Sequence, residues 1–186
     1  MTVSKSDRLS MFMGRATDGT RVKNDFYQTP PISTQSLLNN EKFDEVVWEP
    51  SCGEGAISKV LINNGYQVIS DDLVDRGFGN TGLDFLKASE RKADSLITNP
   101  PYALSVPFWE KCEELKIRKY AFLLRVQWLE GIKRRILFEK FPFKKLYVHA
   151  KRIEQSKEGK NIGSPMLAFA WFVWEKGYDT KTVEWI

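Results

Sequence analysis

The sequence predicts an α/β fold: a mostly parallel sheet with helices on both faces and an antiparallel hairpin at its edge. Short apolar runs alternate with helical stretches from residue 45 onward, the pattern of parallel strands joined by crossovers. A Gly-x-Gly turn follows the first apolar run directly, as where a strand hands over to a helix and approaches a ligand. The last long apolar runs follow one another with no helix between them, which two parallel neighbours would require.

Residues 1–22 mix small, polar and charged types without periodicity and read as a loose arm. Asp25-Phe26-Tyr27-Gln28-Thr29-Pro30-Pro31 reads as extended, because the residue before each proline is pushed out of the α region. A short helix over 33–40 follows. Strands are expected over 45–49, 67–71, 95–98, 120–124, 145–149 and 167–174, with a last one over 182–185. Between them the pattern predicts helices over 54–63, ended by Gly65, and over 84–91, 105–116 and 128–140. With no repeat, low-complexity tract or Pro/Gly/Ser linker, residues 1–186 read as a single domain.

Composition narrows the chemistry. At 186 residues and 42% hydrophobic the chain can bury one sizeable core, and no apolar run approaches the ~20 residues of a membrane span. Nor does an apolar signal region follow the first basic residues. Cys52 and Cys112 cannot form a disulfide framework, and the lone His149 leaves no zinc set and no ordinary Cys/His or Ser/His/Asp hydrolase. The net charge of +4 is uneven: residues 41–100 carry six Lys/Arg and eleven Asp/Glu, residues 111–160 fifteen and six. One half suits a small ligand, the other a polyanion.

In such sheets ligands bind beyond the carboxyl ends of the strands, so those residues carry the functional reading. Glu49-Pro50-Ser51-Cys52-Gly53-Glu54-Gly55 is a nucleotide-type turn, but Ser58 stands where a dinucleotide fingerprint has its third glycine, and no Gly-Lys-Ser/Thr of a phosphate loop is present. NAD and ATP are thereby disfavoured. Asp71-Asp72 lie about 20 residues further, where an acid can accept both ribose hydroxyls. Asp84 either accepts from an adenine amine or caps the helix beginning there. The most specific feature is Asn99-Pro100-Pro101-Tyr102 directly after a strand. Its prolines hold the Asn99 amide and the Pro100 carbonyl as rigid acceptors. Two such acceptors suit a planar amine nitrogen that must pyramidalise and gain positive charge as it attacks an electrophile, and Tyr102 can stack on its ring system.

On these residues the chain resembles the S-adenosylmethionine-dependent amino-methyltransferases, specifically the small adenine-N6 DNA methyltransferases carried by bacteriophages and mobile elements. The resemblance covers about residues 24–176 and rests on Phe26-Tyr27-Gln28-Thr29-Pro30, Glu49 to Gly55, Asp71-Asp72, Asp84 and above all Asn99 to Tyr102. Leu123-Leu124-Arg125, Leu129-Glu130-Gly131 and Ala170-Trp171-Phe172-Val173-Trp174 resemble the phage-type members. It implies a seven-stranded class I methyltransferase sheet, with one strand-helix unit shortened because only eleven residues separate Asp72 from Asp84. It implies S-adenosylmethionine as cofactor. Tyr27, Thr29, Pro30, Glu49, Ser51, Cys52, Gly53 and Gly55 would surround its methionine part, Asp71 or Asp72 its ribose, and Asp84 with Phe85 its adenine. Asn99, Pro100, Pro101 and Tyr102 would hold a flipped base, with Asn99 also against the cofactor. The larger members' separate target-recognition domain has no room between Gly55 and Asn99 or after Trp174. The implied location is cytoplasmic, in a bacterial host.

Lys133, Arg134, Arg135, Lys151, Arg152, Lys157 and Lys160, with Lys144 and Lys145, offer phosphate contacts. The polar, basic stretch 151–165 reads as a long hairpin loop facing nucleic acid. Trp48, Trp171 and Trp174 read as core, while Trp109 and Trp128 either pack or flank the base pocket. Cys52 reads as a small filler. DNA is the expected partner, with RNA bases or a protein glutamine as other planar nitrogen targets, and an idle binding module as the non-enzymatic reading. The sequence does not fix an oligomeric state and leaves a homodimer or a partner chain open.

Overall fold

A computed structural model describes residues 27–151, 153, 156–157, 160–161, 168–178 and 181–186. The arm over 1–22, Phe26, Arg152 and much of the 151–165 loop lie outside them. Among the described residues no helix is long and apolar enough to cross a membrane.

Helices α1 (Pro31–Asn40), α2 (Ala56–Asn63), α3 (Ser105–Glu114) and α4 (Ile132–Lys140) are joined by strands β1 (Val46–Glu49), β2 (Gln67–Ser70), β3 (Ser95–Thr98), β4 (Lys119–Arg125), β5 (Lys145–Val148), β8 (Phe169–Glu175) and β9 (Thr182–Trp185). The strands form one seven-stranded sheet in the order β2-β1-β3-β4-β8-β5-β9. A separate ribbon pairs β6 (Ser156–Lys157) with β7 (Lys160–Asn161). Strands β2, β1, β3 and β4 are parallel; β8 runs antiparallel to both β4 and β5, and β9 is parallel to β5.

Period-2 alternation divides the core into two layers. On one face Val47, Ile97, Ala121, Leu123, Tyr147, Trp171 and Val173 pack on Leu37 and Leu38 of α1 and Ile57 and Leu61 of α2. On the other, Trp48, Leu96, Phe122, Leu146, Phe172 and Trp174 pack on Phe108, Trp109 and Cys112 of α3 and Phe138 of α4. The adjacent sequence positions in each pair, such as Val47 and Trp48, therefore stabilise opposite layers at roughly 1.5–3 kcal/mol per large side chain. Trp128, one of the ambiguous tryptophans, joins this second layer edge-on to Phe138 at 5.3 Å and Phe172 at 5.4 Å, and its indole N–H donates to the Ser105 hydroxyl at 2.8 Å. Trp109 is buried too, so neither lines an open base pocket.

Several expectations change. The helix expected over 84–91 is a single 3₁₀ turn, Phe85–Lys87: Phe85 is its one buried residue, and Leu86 and Ala88 are only partly buried beside it, too little apolar surface to hold a longer helix. The helix expected over 128–140 is split into a 3₁₀ turn, Val126–Leu129, and α4, because Gly131 has φ +108°, which helical backbone does not allow. Between Asp72 and Asp84 the shortened strand-helix unit is absent as such. Only an Asp71–Asn80 bridge marks its place, and β9, at the opposite edge, makes up the seven. The hairpin of β5 and β8 exists, but β9 lies outside it.

Candidate functional site

The candidate residues converge because β1, β2, β3 and β4 all point their carboxyl ends the same way. Thr98, the last residue of β3, holds the Ser51 hydroxyl at 2.6 Å, tying the glycine turn to the strand that leads into Asn99. The turn is also fixed to the end of β2. Cys52 N–H donates to the Asp71 carbonyl at 2.9 Å, and Gly53 N–H to Asp72 Oδ2 at 2.8 Å. Gly55 precedes α2 with φ +79°, and a Cβ there would lie 2.5 Å from the Phe78 ring, so both conformation and space require glycine.

Asn99 sits at the centre of this end. Its Nδ2 donates to the Thr29 hydroxyl at 3.1 Å and to the Tyr27 carbonyl at 3.4 Å; Thr29 is itself buried. Both donors of the amide are thus committed to the extended Tyr27–Pro30 segment. Neither Asn99 Oδ1 nor the Pro100 carbonyl accepts a hydrogen bond from any described residue. Pro101 caps the 3₁₀ turn Tyr102–Leu104, its carbonyl accepting from Leu104 N–H. The Tyr102 ring, expected to be open for stacking, already lies against Tyr27, centroids 5.5 Å apart, with the Arg125 guanidinium 5.0 Å from its centre and Phe169 at 6.0 Å.

Behind the turn, Glu49 is buried and accepts a hydrogen bond from Ser58, whose hydroxyl also meets Ser70 at 2.6 Å. Burial pushes the Glu49 carboxyl up to about 8; the Ser58 bond opposes this and the nearby Asp72 adds to it. Ser58, in the third-glycine position, thus links Glu49 to Ser70 through its hydroxyl. Burial likewise pushes the Cys52 thiol up to about 12, with help from Glu49 and Asp72, which leaves a filler and no nucleophile at neutral pH.

The two acids expected at the ribose are engaged elsewhere. Asp71 is buried and accepts from Trp48 Nε1 at 2.8 Å, Lys92 Nζ at 2.7 Å and Asn80 Nδ2 at 3.0 Å. Asp72 accepts from the backbone of Gly53 and Val74, one bond per oxygen, which leaves it the freer of the two. Asp84 caps its turn through Leu86 N–H at 3.1 Å and pairs with Lys87. Phe85, expected against a ligand, packs into the core against Trp48 and Phe108. A depression lined by Ser89, Glu90, Arg91, Glu114 and Leu115 includes none of the candidate residues.

The basic residues divide. Lys144 pairs with Glu41 and Glu175, and Lys145 with Glu184, so they serve the fold. On α4, Arg135 pairs with Glu139 across the surface, while Arg134 reaches the Glu130 carbonyl at the start of the helix. Lys133 lies on the same helix and Lys151 is exposed after β5. Lys157 and Lys160 fall on the β6 and β7 ribbon, and Arg152 is outside the described residues.

Sequence reasoning did not foresee Thr98, Ser58, Ser70, Asn80, Lys92 or Phe78 as parts of this end of the sheet. Ser58 alone left a signal, as the break in the glycine pattern.

No protein-family model matches the chain, and no curated sequence does either. Solved structures share its fold. A candidate RNA methyltransferase from Pyrococcus horikoshii superposes with a TM-score of 0.62 at 16% identity, over 93% of this chain and 98% of its own. A candidate modification subunit of a type I restriction enzyme from Vibrio vulnificus YJ016 gives 0.57 at 10% identity, over 100% and 53%; the chain spans about half the length of that subunit. A dimethyladenosine transferase from Plasmodium falciparum gives 0.56 at 17% identity, over 81% and 62%. The fold is thus the α/β, Rossmann-like arrangement that these proteins have.

Proposed function

We propose that the protein transfers a methyl group from S-adenosylmethionine to the exocyclic N6 amine of adenine in DNA. One observation carries the reading. Thr29 and the Tyr27 carbonyl take both amide hydrogens of Asn99, so that Oδ1 and the adjacent Pro100 carbonyl remain as two fixed, uncharged acceptors at the end of β3. An exocyclic amine offers two hydrogens to such a pair.

The donor set behind the glycine turn fits a cationic cofactor. Glu49 is a buried carboxyl with no ion-pair partner among the described residues, a place where a positive group nearby would favour ionisation. S-adenosylmethionine supplies an electrophilic methyl group on a sulfonium. The Tyr27–Pro30 segment, Ser51 to Gly55 and Asp72 would hold it; Asp71, Asp84 and Phe85 would support that pocket from behind through their own contacts. Asn99 Oδ1 and the Pro100 carbonyl accept the amine hydrogens, turn the nitrogen lone pair out of conjugation, and stabilise the positive charge gained on attack. Neither has to change protonation, so positioning supplies most of the acceleration. The surplus proton leaves the nitrogen for solvent. Lys133, Arg134, Arg135, Lys151, Arg152, Lys157 and Lys160 would contribute phosphate contacts that set affinity and its salt dependence. Two of the structural neighbours are named for RNA methylation and for dimethyladenosine transfer, and the third as a restriction-enzyme modification subunit, which favours a nucleic-acid base as the substrate class without choosing DNA over RNA.

The test is transfer of label. The full chain is incubated with S-adenosylmethionine labelled in its methyl group, together with duplex DNA, single-stranded DNA, RNA or cell protein, and the products are digested and separated. The reading expects N6-methyldeoxyadenosine. Label confined to RNA or to glutamine in protein overturns the substrate, and cofactor binding without any transfer overturns the enzyme.

A further inference from the structure

Resting on that reading, we propose that Arg125 is a positioning residue that grips a phosphate flanking the target nucleotide. Leu123-Leu124-Arg125 stands out in the sequence, yet the mechanism uses none of the three. The two leucines are buried on opposite faces of β4, and Arg125 follows where the strand leaves the sheet, opposite Phe169 in the β8 register. Its surroundings are unlike those of the other well-paired arginines. Arg91, Arg118 and Arg135 each have a carboxylate partner. Arg125 has neither an ion pair nor a hydrogen bond among the described residues, and its Nε is buried without an acceptor. A buried charged donor left unmet is costly, so a group that only filled space here would be expected to be apolar.

The guanidinium is already committed on one side. Its carbon lies 5.0 Å from the centre of the Tyr102 ring, three positions along the chain from Asn99. With one side of the guanidinium against Tyr102 and its Nε buried, the two terminal Nη groups of this half-buried residue remain, and they match a pair of oxygens held side by side. Adenine presents only single ring nitrogens as acceptors, and its amine needs acceptors, not donors. A backbone phosphate presents the oxygen pair. Through Tyr102 the grip would set the distance between the strand and the Asn99 acceptors.

The probe is a synthetic DNA duplex with one unpaired adenine, for which extrusion is least costly, and its binding to the full chain is followed by fluorescence anisotropy over a salt series. R125M is expected to weaken binding roughly 10- to 100-fold and to lower the slope of log affinity against log salt by about one. R125K should keep the slope but recover only part of the affinity, since it restores charge without the fork. Replacing either phosphate beside the adenine with an uncharged methylphosphonate should weaken the wild type at one of the two positions and leave R125M unmoved there. Cofactor affinity should stay unchanged in both variants. The proposal is overturned if R125M keeps the wild-type slope, or if the methylphosphonate weakens both proteins equally. Wild-type protein that binds no duplex at all overturns the functional reading itself, which separates the two failures.

Discussion

At the amino end of the parallel strands Lys119 and Lys144 share Glu41 and Glu175 at 2.5–3.0 Å, and Arg118 ties Asp44 to Glu175. Burial pushes the Glu41 carboxyl up, but hydrogen bonds from Lys119, Tyr147 and Lys144 outweigh it and hold it below the ordinary range. At the carboxyl end the polar groups are treated in the opposite way. Among the described residues Glu49 is buried without a cation, the Arg125 Nε is buried without an acceptor, and Asn99 keeps its acceptor oxygen unused. The contrast teaches where the sheet spends its charges. One end satisfies each ion with another ion of the chain and contributes to holding the fold. At the other, Glu49, Arg125 and Asn99 hold valences open in fixed positions beside an Asp71 that Lys92, Trp48 and Asn80 saturate.

The largest expected effect comes from breaking the saturated end. Lys119→Met leaves Glu41 buried with one cation fewer and should cost about 3–5 kcal/mol in denaturant unfolding, while the cofactor affinity of the remaining folded protein stays the same. The mirror experiment is Asn99→Ala. It should lower turnover by roughly 10²- to 10³-fold yet cost only about 1–2 kcal/mol of stability, one hydrogen bond at a time; a stability loss as large as that of Lys119→Met would erase the distinction between the ends.

Titration sharpens it further. A Glu49 that stays protonated up to about pH 8 when folded, but ionises near 4.5 when unfolded, makes the wild type less stable as pH rises between those values and flat above them. Glu49→Gln should remove that decline and stand on the order of 4 kcal/mol above wild type at pH 8. His149 gives the smaller effect, of opposite sign. Burial lowers its folded value to about 4, so the neutral ring favours the fold above 6.5 and stability falls as pH drops from there toward 4. His149→Gln, which can still bond Ser33 as the ring does at 2.9 Å, should flatten the acid side of the unfolding curve and leave the alkaline side unmoved.

How much of this was legible varies with the kind of information involved. Alternating apolar runs located β1 to β5 and β8 within a residue or two, because each of these strands feeds two layers; β9 fell at its expected residues although its side chains are largely exposed. The turn that β3 makes at Asn99-Pro100-Pro101 was legible as local geometry because prolines restrict the backbone whatever surrounds them, whereas the packing of Tyr102 against Tyr27, Phe169 and Arg125 was not. What depended on partners distant in sequence was not. Trp48, Lys92 and Asn80 converge on Asp71 from 23, 21 and 9 positions away, so an acid that looked available from its spacing is engaged in the fold. The helix expected after Asp84 failed for the converse reason, since its sequence offers too little apolar surface on one face for tertiary packing to reward. Lys144 read as a phosphate contact because its carboxylates, Glu41 and Glu175, arrive from elements 103 and 31 residues away.

The position of β8 also bears on how the chain is made. Strands β1 to β4 meet in order of synthesis, but β4 receives its other neighbour only when Phe169–Glu175 has emerged, and β5 pairs with nothing earlier than β8. On the ribosome the aromatic row of β4 therefore has an open edge while some forty further residues are added. A nascent chain paused in that interval would present Tyr120 and Phe122 to chaperones or to another unfinished copy, so the slowest codons would be best tolerated before β4 or after β8.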